Sequence, residues 1–372
     1  MDPFSSYPFL HELLKGFPLR QKKTLALIIA AITETGQARS FAIATTLCRW
    51  LGTRLDSAVN RFYRLLRNHR VNMLDFSAAW IRLLARPHTG HLLIAIDWTE
   101  WHHDLRMLVA AAVFDKRATP VLGYACTKMV TRGSQNQREN SFLTNLADTL
   151  RKANASATIL CDRGFRRVSW IEQLIKMRLG FVVRLMDDVT IHIDGVARRL
   201  RDIELERDKA HDFGIVPLRA DRRCEVRVVA YWAKGAKEPW WLATSETSAK
   251  MAVRLYDRRM TVEEQFRDVK GSRFGAKLKW THFRSPEALL RCLLLLAVAL
   301  LVWATIGHHA AQRRPSLRMV SKSKGPRQSY VTIGVRECAA GCGPRITRHR
   351  LRSFAKPPLL RPLRKSGLGA AK

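Results

Sequence analysis

Acidic residues are scarce in this chain: 31 Asp and Glu stand against 65 Lys and Arg in 372 residues, a formal charge of +34. That imbalance goes far beyond what solubility requires and calls for a polyanionic partner, nucleic acid first and an anionic membrane surface second. Cysteine is sparse as well, with seven residues scattered at 48, 126, 161, 224, 292, 338 and 342. An odd, scattered set argues against a disulfide framework, and with no charged-then-apolar opening a reducing, cytoplasmic setting is expected. Cys338 and Cys342 have His349 nearby. Without a second pair of comparable spacing they give little ground for a zinc site. Very long apolar runs are missing too. CLLLLAVALLVWATIG, Cys292 to Gly307, lies between Arg291 and His308–His309. It falls short of the ~20 apolar residues a bilayer needs, so a buried core helix is expected and no membrane span.

What is present suffices for a sizeable core, at 47% hydrophobic residues and a length that allows two domains. Residues 1–88 are expected to form a helical DNA-binding domain, with Gly36, Gly52 and Asn72 punctuating the helices. In the stretch from Leu55 to Arg70, Ala58, Phe62, Leu65 and Leu66 recur at helical spacing beside Arg61, Arg64, Arg67 and Arg70. In a chain this basic, the arginines suggest a helix laid against phosphates; in a neutral one they would be a solvated face. Three apolar runs of strand length follow at 91–97, 105–113 and 120–126, then strands at 156–162 and 181–185 alternate with helices. The fold class is α/β, a mixed sheet with flanking helices. Residues 89–185 and 250–310 form its two parts, 186–249 a β-rich insertion, and 311–372 an extended basic tail.

Asp97 closes the strand in IAIDW and Asp162 the one in ILCDRGF. Each alone is an ordinary turn residue. Two carboxylates at strand ends of one sheet stand where open α/β sheets place ligands. A third acid comes from RLYDRRMTVEEQFRDVKG. At about 100° per residue, Tyr256, Arg259, Glu263 and Lys270 fall within an arc of about 60°. Leu255, Val262, Phe266 and Val269 make the neighbouring apolar stripe, while Glu264 projects away with Asp257 and Asp268. An Arg259–Glu263 salt bridge explains one pair of the arc but not the tyrosine and the lysine. Three carboxylates from separate segments suit a Mg2+ site on a nucleic acid backbone, since Mg2+ takes oxygen ligands and leaves positions for phosphate oxygens.

These residues resemble the DDE transposases of bacterial insertion sequences, in the branch (insertion-sequence family 4) with a Tyr-x2-Arg-x3-Glu-x6-Lys signature, complete here as Tyr256, Arg259, Glu263 and Lys270. AIDWTE around Asp97, CDRGF around Asp162 and the REN-SFL helix between them extend the likeness over most of residues 20–310. The resemblance implies an RNase H-like catalytic domain carrying the β-rich insertion, and an all-α N-terminal domain that helps recognise transposon ends. It implies metal-dependent cut-and-paste transposition: end hydrolysis, release through a DNA hairpin, and strand transfer. Asp97, Asp162 and Glu263 would bind Mg2+ (or Mn2+), two ions in all, and Tyr256, Arg259 and Lys270 would contact phosphates. Partners would be double-stranded DNA, both terminal inverted repeats and target, and a second copy in a homodimeric paired-end complex, cytoplasmic and nucleoid-associated. A flipped base would stack on Trp240 or Trp241, unless these are core packing like most strand tryptophans.

Two alternatives share the acids. One is an RNase H-like nuclease or resolvase without strand transfer; the other is a non-catalytic, transposase-derived DNA-binding protein.

Overall fold

The computed structural model describes residues 2–86, 90–101, 104–114, 117–131, 133–218, 224–270, 276–281, 283–318 and 328–340. Two short helices, α1 (Pro3–Ser6) and α2 (Phe9–Leu13), lead into α3 (Leu19–Thr35), α4 (Ser40–Leu51), α5 (Leu55–Arg67) and α6 (Met73–Ala85). The punctuation acts as its chemistry dictates. Gly36 and Gly52 end α3 and α4 at φ of 67° and 62°, a conformation that glycine enters without a Cβ penalty. Asn72 caps α6 by accepting the Leu74 and Asp75 amides. α5 ends at Arg67, so Arg70 stands past the helix in a turn where Asn68 Oδ1 accepts its amide. Arg61, Arg64 and Arg67 are exposed along the helix opposite buried Ala58, Phe62, Leu65 and Leu66.

The sheet opens with three antiparallel strands, β1 (His91–Glu100), β2 (Leu105–Phe114) and β3 (Arg117–Thr127). After α7 (Lys128–Thr131) and α8 (Gln135–Ala153), β4 (Ser156–Cys161) pairs parallel to β1. After α9 (Val168–Lys176), β5 (Gly180–Leu185) pairs parallel to β4. The order 3-2-1-4-5 with 1, 4 and 5 parallel is a mixed sheet compatible with an RNase H-like domain.

The segment 186–249, expected to be a β-rich insertion, carries its strands in two places. Only β6 (Thr190–Ile193) and β7 (Val196–Arg199) form a separate hairpin. β8 (Ala210–Pro217), β9 (Glu225–Tyr231) and β10 (Trp240–Thr244) extend the main sheet to eight strands, β10 pairing antiparallel with β5. The reason lies in β10 itself. Trp241, Leu242, Ala243 and Thr244 are buried in succession, on both faces, as in a strand with neighbours on either side.

The chain then forms α10 (Ala249–Asp257), α11 (Thr261–Lys270) and α12 (Pro286–Arg313). α12 is long and apolar enough to cross a membrane, yet it is buried in the protein, packed on β3, α3 and α5. Thr119 of β3 donates to the Ala297 carbonyl at 2.9 Å, and the Trp303 indole to that of Thr33 at 2.9 Å. Within the stretch expected to be an extended tail, α13 (Tyr330–Ala339) docks on α12. Its contact is made by glycines. A Cβ on Gly334 would lie 1.9 Å from the Trp303 carbonyl oxygen, and one on Gly307 1.8 Å from that of Tyr330. Glu337 secures the joint by accepting from Arg314 on both carboxylate oxygens, at 2.8 and 2.7 Å. Cys338 is buried on α13, which pushes its thiol up to about 12; Cys342, His349 and the rest of 341–372 lie outside the described residues.

Candidate active site

β1 and β4 bring the two aspartates together. Their register ends at Ile96↔Cys161, so Asp97 and Asp162 are the next residues on two adjacent parallel strands. Neighbouring strands lie about 4.8 Å apart, which brings the two Cα positions close together. Asp162 also serves as a turn residue, its Oδ1 accepting the Gly164 amide at 2.8 Å. A side chain at 164 would crowd that carboxylate, with a Cβ 2.9 Å from the same oxygen.

Glu263 arrives on a segment that is not the continuous helix its spacing predicts. A 3-10 turn, Arg258–Met260, separates α10 from α11, and the Thr261 hydroxyl donates to the Arg258 carbonyl at 2.8 Å across the break. The tighter turn rotates everything before it relative to everything after it. Tyr256 nonetheless stays beside Arg259, whose guanidinium lies 5.9 Å from the centre of its ring and also reaches Glu263. Tyr256 is buried, its ring edge-on to Trp240 at 5.0 Å, and burial raises its phenol pKa. Lys270 sits at the far end of α11, where Nζ donates to Thr99 Oγ1 and, at 2.7 Å, to the Glu100 carbonyl. Val262 and Val269 are buried as expected, and Phe266 half-buried. Asp268 does not face solvent with Asp257: its carboxylate accepts from Ser329 at 3.2 Å and lies 3.9 Å from Arg117. The Glu264 side chain lies outside the described residues.

Arg259 joins the helix to the sheet. Its side chain is only 10% exposed, and its guanidinium donates to Asp97 Oδ2 at 3.5 Å and Glu263 Oε1 at 3.2 Å. Burial raises the Asp97 pKa to about 6, with the Asp162 charge the next cause and Arg259 opposing both. Among the described residues, no three His, Cys, Asp or Glu side chains stand close enough to hold a metal ion. The donors are nonetheless right in kind, all oxygen, and a divalent cation would offset both the burial and, after it, the Asp162 charge that lift Asp97. Of the two tryptophans, Trp241 is buried against Phe213, which leaves no face for a base, whereas Trp240 is half-buried beside Tyr256.

One residue beside the site has no role in the expectations drawn from sequence. Glu139 of α8 is 1% exposed and accepts from Trp98 Nε1 at 2.8 Å, Gln135 Nε2 at 2.8 Å and Arg167 Nη2 at 2.6 Å. Its sequence signal is a carboxylate on the buried stripe of Phe142, Leu143, Leu146 and Leu150, where an apolar residue belongs.

No curated protein matches the chain. A family model described as the transposase DDE domain matches residues 88–302, a span that holds Asp97, Asp162 and Glu263. With more than half of the 372 residues matched, and a 3-2-1-4-5 sheet beneath the two aspartates, the chain belongs to the transposase DDE-domain family.

Proposed function

We propose that this transposase catalyses metal-dependent cut-and-paste transposition of a bacterial insertion sequence, by end hydrolysis, hairpin release and strand transfer. The observation that carries the reading is the Arg259 bridge: a guanidinium in a +34 chain draws together carboxylates from β1 and α11 beside Asp162. Asp97, Asp162 and Glu263 are the residues that would hold two Mg2+ (or Mn2+) ions. Bound there, such ions activate an attacking water or 3′-hydroxyl and stabilise the leaving oxygen.

The chain's own groups supply the rest. Arg259 neutralises Asp97 and Glu263 while DNA is absent and transfers to a phosphate oxygen when DNA arrives, leaving the carboxylates to their metal role. Lys270, held at the end of β1, adds positive charge beside the strand that carries Asp97. Tyr256 braces Trp240, which offers its outer face to an unstacked base during hairpin formation. Arg61, Arg64 and Arg67 on α5, with Arg70 in the turn after it, bind the backbone of terminal-repeat DNA. Paired ends call for a homodimer on the DNA.

The test is cleavage of DNA from the borders of the protein's own gene, in Mg2+ or EDTA. Metal-dependent cuts with hairpin ends, lost in Asp97→Ala, Asp162→Ala and Glu263→Ala but kept in Glu264→Ala, are expected. Tight binding without cuts would overturn the catalytic reading, and cuts without joining to a second DNA would overturn strand transfer.

A further inference from the structure

The backbone register between β1 and β4 stops at Ile96↔Cys161, one residue short of the two aspartates. Beyond that point β1 continues to Glu100 beside β2, while the other chain turns away through the 3-10 turn Arg163–Phe165. Asp97 and Asp162 therefore stand at a fork. The ladder fixes where the fork begins, but the spread of its arms depends on side chains that touch both.

Glu139 touches both. One oxygen accepts from Trp98, the residue after Asp97, whose side chain leaves the strand on the face opposite the aspartate. The other accepts from Arg167, five positions past Asp162 at the start of α9. Gln135, one turn earlier on α8, donates to the first oxygen and fixes the carboxylate's rotation. Arg106 covers the Trp98 ring at 4.0 Å, so the indole is held from two sides. If the network served stability alone, it would be a poor choice, because a buried ion pair is seldom better than apolar packing of the same volume. A buried carboxylate that accepts from three side chains on separate parts of the chain is better suited to holding a geometry.

We propose that Glu139 is a positioning residue that sets the separation of Asp97 and Asp162 by tying Trp98 and Arg167, one on each arm of the fork, to α8. The proposal rests on the metal-binding reading of those aspartates. It places Glu139 outside the metal's own ligands, acting through the two chains that carry them.

The experiment measures Mn2+ binding to the full, DNA-free chain by electron paramagnetic resonance, beside melting temperature and affinity for duplex DNA. Glu139→Gln keeps an acceptor for Trp98 but turns an amide N–H toward Arg167. It is expected to weaken Mn2+ binding by about 10–100-fold, the usual effect of losing a group behind metal ligands, while DNA affinity stays at the wild-type value. Arg167→Lys, which can still donate to Glu139, should recover most of that loss relative to Arg167→Ala. Adding Arg167→Ala to Glu139→Gln should cost nothing further. Should Glu139→Gln fail to fold, Trp98→Phe removes the indole N–H together with the five-membered ring, keeps an aromatic face for Arg106, and should weaken Mn2+ binding by a smaller factor. Wild-type Mn2+ affinity in Glu139→Gln or, in that event, Trp98→Phe, where Asp97→Ala has lost it, would overturn the positioning role alone. A wild type that binds no Mn2+, or an Asp97→Ala that binds as well, would remove the metal reading and this proposal with it.

Discussion

The proposed site has two halves built on different principles. Asp97 and Asp162 stand on neighbouring strands, where a run of backbone hydrogen bonds ends one residue before them. Glu263 rides on a ten-residue helix preceded by a 3-10 break, its side chain 48% exposed against 19% for Asp97. The strand half is placed by backbone. The helix half is placed by side chains: Val262 and Val269 in the core, Arg259 across to Asp97, and Lys270 on Thr99 and Glu100. A carboxylate one residue beyond a ladder has less slack than one on a helix end held by side chains alone.

The comparison is broken most directly by moving each carboxylate by one methylene. Asp97→Glu is expected to lower cleavage by about a hundredfold, because a reacting group misplaced by 1 Å on a rigid strand cannot recover. Glu263→Asp should lose only about tenfold, since α11 can adjust. Equal losses, measured as single-turnover rates on end DNA, would erase the distinction.

Crowding on the strand half gives a second test. Asp97 is raised from 3.8 to about 6, by burial first and Asp162 second. Between those values the folded chain keeps a proton that the unfolded chain has released. The stability this supplies is complete below 3.8 and lost as pH rises through about 6. In EDTA, Asp97→Asn should therefore be more stable than wild type by about 2–3 kcal/mol near pH 8, with the gap closing toward pH 4. Chemical denaturation at both pH values decides it. A gap that widens on acidification would place the crowding elsewhere.

The smallest expected effect sharpens the helix half. Lys270→Ala removes the tie from α11 to the end of β1 and should slow cleavage severalfold, up to about tenfold, with melting temperature nearly unchanged. A loss as large as that of Asp97→Glu would give Lys270 a direct part in the chemistry.

The strand half was largely legible in the sequence, because apolar runs ending in Asp97 and Asp162 are local patterns. The helix half was legible only in part. The buried positions of Leu255, Val262 and Val269 follow helical spacing, but spacing does not encode the 3-10 turn at 258–260. Glu139 escaped for a different reason. Its place on a buried stripe is visible locally, but its partners Trp98 and Arg167 lie 41 and 28 residues away, so the sequence does not show what it holds. The docking of α13 was hidden by composition: Arg and Lys crowd its surroundings, and the small residues that let it approach, Gly307 and Gly334, are silent in a hydrophobic pattern.

α12 is enclosed by segments made at different times during synthesis. Its most apolar window is 89% buried inside the protein, although by composition it could enter a bilayer. Two of the surfaces that receive it, α3 and β3, are made earlier in the chain, and α13 is made later. Nascent chains fold from the N-terminal side as they emerge. When residues 286–313 leave the ribosome the part of their socket made by α3 and β3 has therefore already been synthesised, and α13 closes over the helix afterwards.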